Sequence, residues 1–289
     1  MLVWLLLLLK LTAVWGYDSG ISEMMVGYAS VSSCPSSSFN NWQCRMCLNG
    51  SGFINPPPML TNIGIAENGR ALGFVGVDEE NHRLVVSFQG TVNWKEIMED
   101  LELELVEEYC LGCKVHKGFY EAYKSIEDDI SKLIESRMKS NYQIWFTGHS
   151  MGGALAIHAA LALNYSNIVG YTFGAPRIGN KLFAEMTRHL NWFRVVNYKD
   201  PVPQLLPFPM YYHTDGPEIW YYDEPRPGFQ PSTKFKTCLT GEDSTCQRSV
   251  CNLPFHLCTN GKWHTTYMNL AGLTDLNLVC FNKSTLEFY

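Results

Sequence analysis

The chain has 289 residues, 46% of them hydrophobic, and a formal net charge of −6 at pH 7. That length is ample for one large core, and a modest acidic balance without a basic block argues against a nucleic-acid partner. Ten cysteines, beginning with Cys34, are typical of a protein that folds in an oxidising compartment.

The first segment of the chain has a short apolar core followed by small residues. This predicts a secretory signal peptide over residues 1–16, cleaved after Gly16. The apolar run is too short for a stable membrane anchor. We therefore expect a secreted, extracellular protein with one domain over residues 17–289. In a secreted chain, three sequons are candidate glycosylation sites: Asn49, Asn164 and Asn282.

The amino-terminal third carries one helical pattern and one hairpin. Residues 17–33 contain helix-compatible apolar residues and lead into a cysteine-bearing segment, which we interpret as a surface cover. Residues 72–77 and 83–88 predict a hairpin that exits through Gln89 and Gly90 to Thr91. After Thr91, apolar residues at helical spacing between charged ones predict a short amphipathic helix with the apolar face Trp94, Ile97, Met98 and Leu101.

The middle of the chain alternates helix and strand patterns. Helical spacing extends from residue 119 to 138. Buried strands are then predicted at 144–147, 168–173 and 192–197, with helices at 151–163 and 181–189. This alternation predicts an α/β fold with a mainly parallel central sheet and helices on both faces. Beyond Asp200 the sequence is rich in proline, aromatic residues and cysteine, and it has no clear pattern.

The segment Gly148-His-Ser-Met-Gly152 lies between a predicted strand and a helix of small residues. This context indicates a nucleophile elbow, the sharp turn that exposes a serine hydroxyl. Glycine suits positions 148 and 152, because a side chain at either would collide with neighbouring backbone. The helix that begins at Met151 would direct its free N–H groups toward a developing oxyanion. We therefore predict that Ser150 is a catalytic nucleophile.

A serine nucleophile needs a base, and the base needs an acid that fixes its tautomer. Asp200 directly follows the strand predicted at 192–197 and is the preferred acid. Three other aspartates lie in turn-like contexts without a preceding strand: Asp215, Asp223 and Asp243.

His264 precedes a helix-like segment and is the preferred base. His256 is the alternative base, whereas His213 is interpreted as structural because it lies close to the acid in sequence. The cysteines and histidines between residues 246 and 264 lack the usual spacing of zinc ligands, so disulfides are the better interpretation. No metal or organic cofactor is expected.

A series of motifs in chain order resembles the fungal-type (class 3) lipases from about residue 72 onward. The motifs are Ser87-Phe-Gln-Gly-Thr91, Val115-His-Lys-Gly-Phe119, Phe146-Thr-Gly-His-Ser-Met-Gly-Gly-Ala154, Phe173-Gly-Ala-Pro-Arg-Ile-Gly-Asn180, Tyr198-Lys-Asp-Pro-Val-Pro203 and His264-Thr-Thr-Tyr267. The resemblance implies an α/β-hydrolase fold and a Ser150–His264–Asp200 triad. It also implies an oxyanion hole made by Thr91 and the backbone N–H of Met151.

The resemblance further implies a lid and part of the disulfide pattern. The lid is the amphipathic segment after Thr91, with Val92, Trp94, Ile97, Met98 and Leu101. The implied disulfides are Cys34–Cys280, Cys44–Cys47 and Cys110–Cys113. Four cysteines then form two more bonds in any of three connectivities: Cys238, Cys246, Cys251 and Cys258. Two departures from the family are Gln89, in place of the usual arginine, and residues 223–262, which have no counterpart.

These observations predict a secreted serine carboxylic-ester hydrolase, foremost a triacylglycerol lipase that acts at a lipid–water interface through an acyl-enzyme on Ser150. A phospholipase A1 or a feruloyl-type esterase with the same triad is the alternative among enzymes, and the apolar lid favours a lipid substrate. An inactive secreted lipid-binding protein is the alternative from another class, and the intact triad argues against it.

Overall fold

A computed structural model describes residues 16–48, 57–91, 102–224, 233–251, 258, 260–268 and 270–281. Several sequence predictions lie outside these described residues. They are the signal peptide before Gly16, the lid (Val92, Trp94, Ile97, Met98 and Leu101), the sequons at Asn49 and Asn282, and the alternative base His256.

The centre of the fold is an eight-stranded sheet. In spatial order its strands are β1 (Thr61–Glu67), β2 (Leu72–Asp78), β3 (Arg83–Phe88), β6 (Gln143–His149), β7 (Ile168–Phe173), β8 (Trp192–Asn197), β9 (Glu218–Tyr221) and β10 (Phe235–Cys238). The five strands from β3 to β9 are parallel, whereas β1, β2 and β10 pair antiparallel. Two small antiparallel pairs complete the described strands: β4 (Leu105–Glu107) with β5 (Lys114–His116), and β11 (Thr266–Tyr267) with β12 (Leu270–Ala271). The prediction of a mainly parallel sheet is confirmed.

Seven α-helices lie within the described residues. They are α1 (Ser19–Val31), α2 (Ser36–Phe39), α3 (Lys117–Lys124), α4 (Glu127–Glu135), α5 (Met151–Leu163), α6 (Lys181–Met186) and α7 (Leu276–Val279). The helical spacing from residue 119 to 138 is divided between α3 and α4, because the helical conformation is interrupted between them. Ile126 leaves the helical conformation (φ −126°, ψ 3°), and the Ser125 hydroxyl donates to the Ala122 carbonyl at 2.7 Å.

Alternate residues of the central strands enter two separate cores. Val86 and Phe146 pack in the core that contains α5, whereas Val85 and Trp145 pack in the core that contains α1. The sheet therefore has helices on both faces, as predicted. The amino-terminal segment covers one face, but α1 itself is a core helix rather than a surface element, since Met25 and Tyr28 are fully buried.

All ten cysteines are paired. Three disulfides are those that the family resemblance implies, and Cys34–Cys280 among them joins the segment after α1 to the end of α7. The four remaining cysteines pair as Cys238–Cys246 and Cys251–Cys258. Among the described helices, none combines the length and apolarity required to cross a bilayer.

The parallel strands bring their carboxyl ends to one edge of the sheet. Thr91 lies just beyond β3, Ser150 follows β6 directly, Gly174 follows β7, and Asp200 lies three residues beyond β8. Loops at this edge of a parallel sheet are where α/β proteins bind and transform ligands. Four segments that are distant in sequence thus meet at one place.

Candidate active site

Ser150 occupies a sharp turn between β6 and α5. Its backbone has φ 57° and ψ −129°, a conformation that non-glycine residues rarely adopt. The turn is held by the Ser150 N–H, which donates to the Phe173 carbonyl at 2.9 Å. This strained turn places the serine side chain at the carboxyl edge of the sheet, as a nucleophile elbow requires.

The glycines on either side of Ser150 are required by close backbone approach. A Cβ atom at Gly148 would lie 2.2 Å from the Gly152 carbonyl oxygen, and one at Gly152 would lie 2.2 Å from the Phe88 carbonyl oxygen. Both distances are far inside van der Waals contact with atoms that cannot move away. The Gly-x-Ser-x-Gly pattern is therefore a packing requirement of the turn.

His264 and Asp200 meet although 64 positions separate them. The His264 Nδ1 atom lies 3.0 Å from Asp200 Oδ2 and 3.1 Å from Oδ1. Both side chains are buried, and Asp200 is 0% exposed. The Asp200 Oδ1 atom also accepts from the Val202 N–H at 2.9 Å. A carboxylate in this position requires the proton of His264 on Nδ1, which leaves Nε2 free to accept one.

Tyr267 is a further partner of Asp200, to which the sequence analysis gave no role. Its hydroxyl donates to Asp200 Oδ2. Burial first, and then the charge of Asp200, raise the pKa of Tyr267 well above its ordinary value, so the phenol stays protonated and keeps donating. The signal in the sequence is its place three residues after His264, in the motif His264-Thr-Thr-Tyr267.

His149, the residue before Ser150, contacts His264. Its Nε2 atom lies 2.6 Å from the His264 carbonyl oxygen, and the two imidazole rings are 4.3 Å apart. Burial, followed by the neighbouring His264, lowers the pKa of His149 well below its ordinary value. A neutral His149 therefore donates its Nε2 proton to that carbonyl and holds the backbone of His264.

The two atoms that would exchange a proton form no hydrogen bonds with the rest of the described structure. Ser150 Oγ and His264 Nε2 are buried, and among the described residues neither has a hydrogen-bond partner. Buried polar atoms normally have one. These are the two atoms that a Ser–His pair would use, but the structure shows no hydrogen bond between them.

Thr91 and Met151 lie together beside the elbow. The Thr91 hydroxyl donates to the Met151 sulfur at 3.6 Å, and Met151 is the first residue of α5. The residue after α1 contacts the end of β3, which leads to Thr91: the Ser32 hydroxyl donates to the Phe88 carbonyl at 3.0 Å. Gln89, in the position of the family's arginine, donates to the Ser33 carbonyl at 3.4 Å. The end of α1 thus fixes the loop on which Thr91 lies.

The rejected candidates have other partners. Asp215 pairs with Arg188, Asp223 with Lys234, and Asp243 accepts from the Thr245 N–H and hydroxyl. His213 contacts Glu242 at 2.8 Å rather than Asp200. None of these contacts is with Ser150, His264 or Asp200.

Comparison with known proteins shows which proteins this arrangement resembles. Residues 85–210 match the model of the class 3 lipases. A secreted mono- and diacylglycerol lipase of Fusarium solani is 30% identical over 172 residues, which are 57% of this chain and 52% of that protein. The chain thus spans about half the length of the curated relatives it matches.

Solved structures resemble the chain over more of its length. A lipase of Rhizopus microsporus var. chinensis superposes with a TM-score of 0.74 and 25% identity, over 90% of each chain. A triacylglycerol lipase whose catalytic centre is described as a serine-protease triad superposes with a TM-score of 0.73 and 25% identity, over 90% of this chain and 98% of that one. These likenesses identify the fold as that of the α/β-hydrolases.

The curated relatives are named as secreted proteins, and all ten cysteines of this chain are in disulfides. The disulfides are typical of a protein that folds in an oxidising compartment. Over residues 85–210 the chain is similar to the fungal-type (class 3) lipases.

Proposed function

We propose that the protein is a secreted serine ester hydrolase that cleaves acylglycerols, with triacylglycerol as the foremost substrate. The observation that carries the proposal is the 3.0 Å contact between His264 Nδ1 and Asp200 Oδ2 beside the strained turn at Ser150. The mono- and diacylglycerol lipase and the triacylglycerol lipase compared above support the choice of an acylglycerol.

In the proposed reaction, His264 Nε2 takes the hydroxyl proton as Ser150 Oγ attacks the ester carbonyl. Asp200 holds the imidazole in the required tautomer and stabilises the imidazolium. The carbonyl oxygen becomes an oxyanion that accepts hydrogen bonds from the N–H groups of Thr91 and Met151, at the positive end of α5. His264 then gives its proton to the leaving alcohol, and water releases the fatty acid from the acyl-enzyme by the same steps in reverse.

The Thr91 hydroxyl has a second role in this proposal. In this structure it donates to the Met151 sulfur, which is a weak acceptor. When an oxyanion forms, the same hydroxyl can turn to a much stronger, charged acceptor. The Thr91 hydroxyl thus lies near the position from which it would bind the oxyanion. Only a weak hydrogen bond to sulfur has to break first.

The lid belongs to the proposal on sequence grounds alone. In water, the apolar face of Trp94, Ile97, Met98 and Leu101 would cover the site, because exposing such side chains costs about 1.5–3 kcal/mol each. At an oil surface that cost disappears, so the lid can open. Replacing Trp94 and Ile97 by serine should therefore reduce hydrolysis of an emulsified long-chain triglyceride far more than that of a dissolved short-chain ester. Equal losses on both substrates would contradict the lid.

A substrate panel tests the proposed function. We expect emulsified triglyceride and diglyceride to be hydrolysed faster than phosphatidylcholine or methyl ferulate, and Ser150→Ala to abolish turnover of every substrate. Faster release from the sn-1 position of phosphatidylcholine would favour a phospholipase A1, and preference for methyl ferulate would favour a feruloyl-type esterase. Lipid binding without turnover by the unaltered protein would favour a non-enzymatic lipid-binding protein.

Asn164 is the glycosylation site that we propose among the described residues. It is exposed and ends α5 in the left-handed conformation (φ 48°, ψ 39°). Helix α5 begins beside Ser150, so Asn164 lies at its far end. The residue also lines a surface groove of about 700 Å³ together with Tyr165 and Leu190. Loss of a mass shift on deglycosylation in Asn164→Gln would identify the site, and an unchanged shift would exclude it.

A further inference from the structure

Residues 238–251, here called the cysteine loop, form a segment to which neither the family resemblance nor the proposed chemistry gives a role. The Cys238–Cys246 disulfide closes its first part, and Cys251 joins its end to Cys258. The loop packs against residues 200–206, here called the acid loop, which begin with Asp200. Its contacts there are polar, buried and specific.

Gln247 is the first point of contact and is 0% exposed. Its side-chain amide donates to the Asp200 carbonyl at 2.5 Å, and its amide oxygen accepts from Gln204 Nε2 at 2.7 Å. Its backbone N–H donates to Glu218 at 3.0 Å. One side chain thus bonds both the first residue of the acid loop and a residue near its end.

Glu242 provides the second contact through Arg177. The Arg177 guanidinium is buried and donates to the carbonyls of Gln204 at 3.0 Å and Leu206 at 2.9 Å. A buried cation requires a partner charge, and Glu242 supplies it at 3.0 Å. The cysteine loop therefore neutralises the cation that holds the end of the acid loop.

The acid loop forms backbone hydrogen bonds within residues 201–205, whereas the Asp200 carbonyl is bonded from outside the loop. Asp200 is followed by Pro201, which has no N–H to donate. The Asp200 carboxylate is already engaged by Val202, His264 and Tyr267. Gln247 bonds the other side of the residue, its backbone carbonyl. A carboxylate bonded on one side and a carbonyl bonded on the other leave the residue little freedom to rotate.

We propose that the cysteine loop is a positioning element for the catalytic acid, with Gln247 as its principal residue and the Glu242–Arg177 pair as its second anchor. The proposal rests on the proposed function, because it assigns a role relative to Asp200. The Cys238–Cys246 disulfide ends one residue before Gln247 and holds it in register. Misplacement of a catalytic group by about 1 Å can cost about a hundredfold in rate, so a buried clamp of this kind has a direct kinetic consequence.

The test compares Gln247→Leu with Ser249→Ala, a control at an exposed position of the same short helical turn. On a dissolved short-chain ester, Gln247→Leu should lower kcat per folded molecule about 10- to 100-fold and leave KM within about twofold, because substrate binding is untouched. The control should match the unaltered protein. If Gln247→Leu keeps kcat within twofold and only its thermal midpoint falls, the loop is structural and the proposal is overturned.

A second variant decides the matter if Gln247→Leu does not fold. Gln247→Glu has almost the same shape, and its protonated acid can donate to the Asp200 carbonyl whereas its carboxylate cannot. Its kcat relative to the unaltered protein should therefore rise as the pH falls, and a ratio that stays flat with pH would overturn the proposal. Activity that survives in Ser150→Ala would instead contradict the proposed function itself, so the two failures are distinguishable.

Discussion

The nucleophile elbow and the acid–base side of the site differ in how their residues are brought together. The elbow is contiguous: β6, the turn and α5 occupy residues 143–163 without interruption. The acid–base side combines Asp200 after β8, Gln247 between two disulfides, and His264 and Tyr267 at the start of a small hairpin. Local backbone geometry positions the residues of the nucleophile elbow, and a buried polar network positions those of the acid–base side. They should therefore respond differently to mutation.

The largest expected effect comes from removing the acid or the base. Asp200→Ala or His264→Ala should lower kcat by about 10⁴-fold or more, and the double variant should cost little beyond the worse single one, because the residues act as a unit. The measurement is kcat on a dissolved ester, with folding checked by circular dichroism. Multiplicative losses in the double variant would contradict the shared role.

The next effect concerns the stability of the nucleophile elbow. Gly152→Ala should destabilise the fold by about 3 kcal/mol, because its Cβ would lie 2.2 Å from the Phe88 carbonyl oxygen. Chemical denaturation measures the loss. Gly69→Ala is the matched control, since no atom lies within 4 Å of a Cβ placed there. Equal stability of the two variants would show that the turn tolerates a side chain, contrary to the packing described.

On the acid–base side, Tyr267→Phe should act on rate more than on fold. The substitution keeps the ring and removes the hydroxyl that donates to Asp200. One such hydrogen bond to a charged group corresponds to roughly tenfold in kcat. Tyr222→Phe, at an exposed position, is the control. A kcat for Tyr267→Phe equal to that of the control would show that the Tyr267 hydroxyl does not support Asp200 in the reaction.

A separate effect, on stability rather than on rate, concerns the acid pH range near the cysteine loop. Burial lowers the pKa of His213 to about 4, and Arg194 adds to the shift while Glu242 opposes it. The unfolded chain, with an ordinary value of about 6.5, then binds more protons than the folded chain between pH 6.5 and 4. The stabilisation is therefore fully present above pH 6.5 and is lost as the pH falls toward 4, by at most about 3 kcal/mol.

His213→Gln should flatten the dependence of unfolding free energy on pH in that window. The exposed His189→Gln serves as the control. Urea unfolding at several pH values between 4 and 7 measures both slopes. An unchanged slope in His213→Gln would show that His213 does not titrate with folding.

The same contrast explains how far the sequence could predict the molecule. The strands and α5 around Ser150 carry their own periodicity and their own glycines, so their positions followed from the residues themselves. Asp200 and His264 could be chosen by chain order and by family motifs. Gln247 could not, because its partners depend on how residues 238–251 fold against residues 200–206. Nothing local in a glutamine marks which distant carbonyl it will bond.

The helical break at Ile126 was missed for a related reason. The apolar spacing continues through residues 119–138 without a proline or glycine, so periodicity alone favours one helix. The separate helices allow α3 to pack against α5 and α4 to pack against β1 and β2, with Tyr123 and Ile130 both fully buried. Tertiary packing overrides the local pattern here.

The central claim is that Ser150 is a nucleophile activated by His264, and covalent labelling tests it most directly. A labelled fluorophosphonate reacts with activated serines, and peptide mapping locates the adduct. We predict one adduct per chain, on Ser150, with its formation slowed by orders of magnitude in His264→Ala. Ester hydrolysis should disappear in step with labelling. An active protein that forms no adduct on Ser150, or that reacts equally fast without His264, would contradict the account.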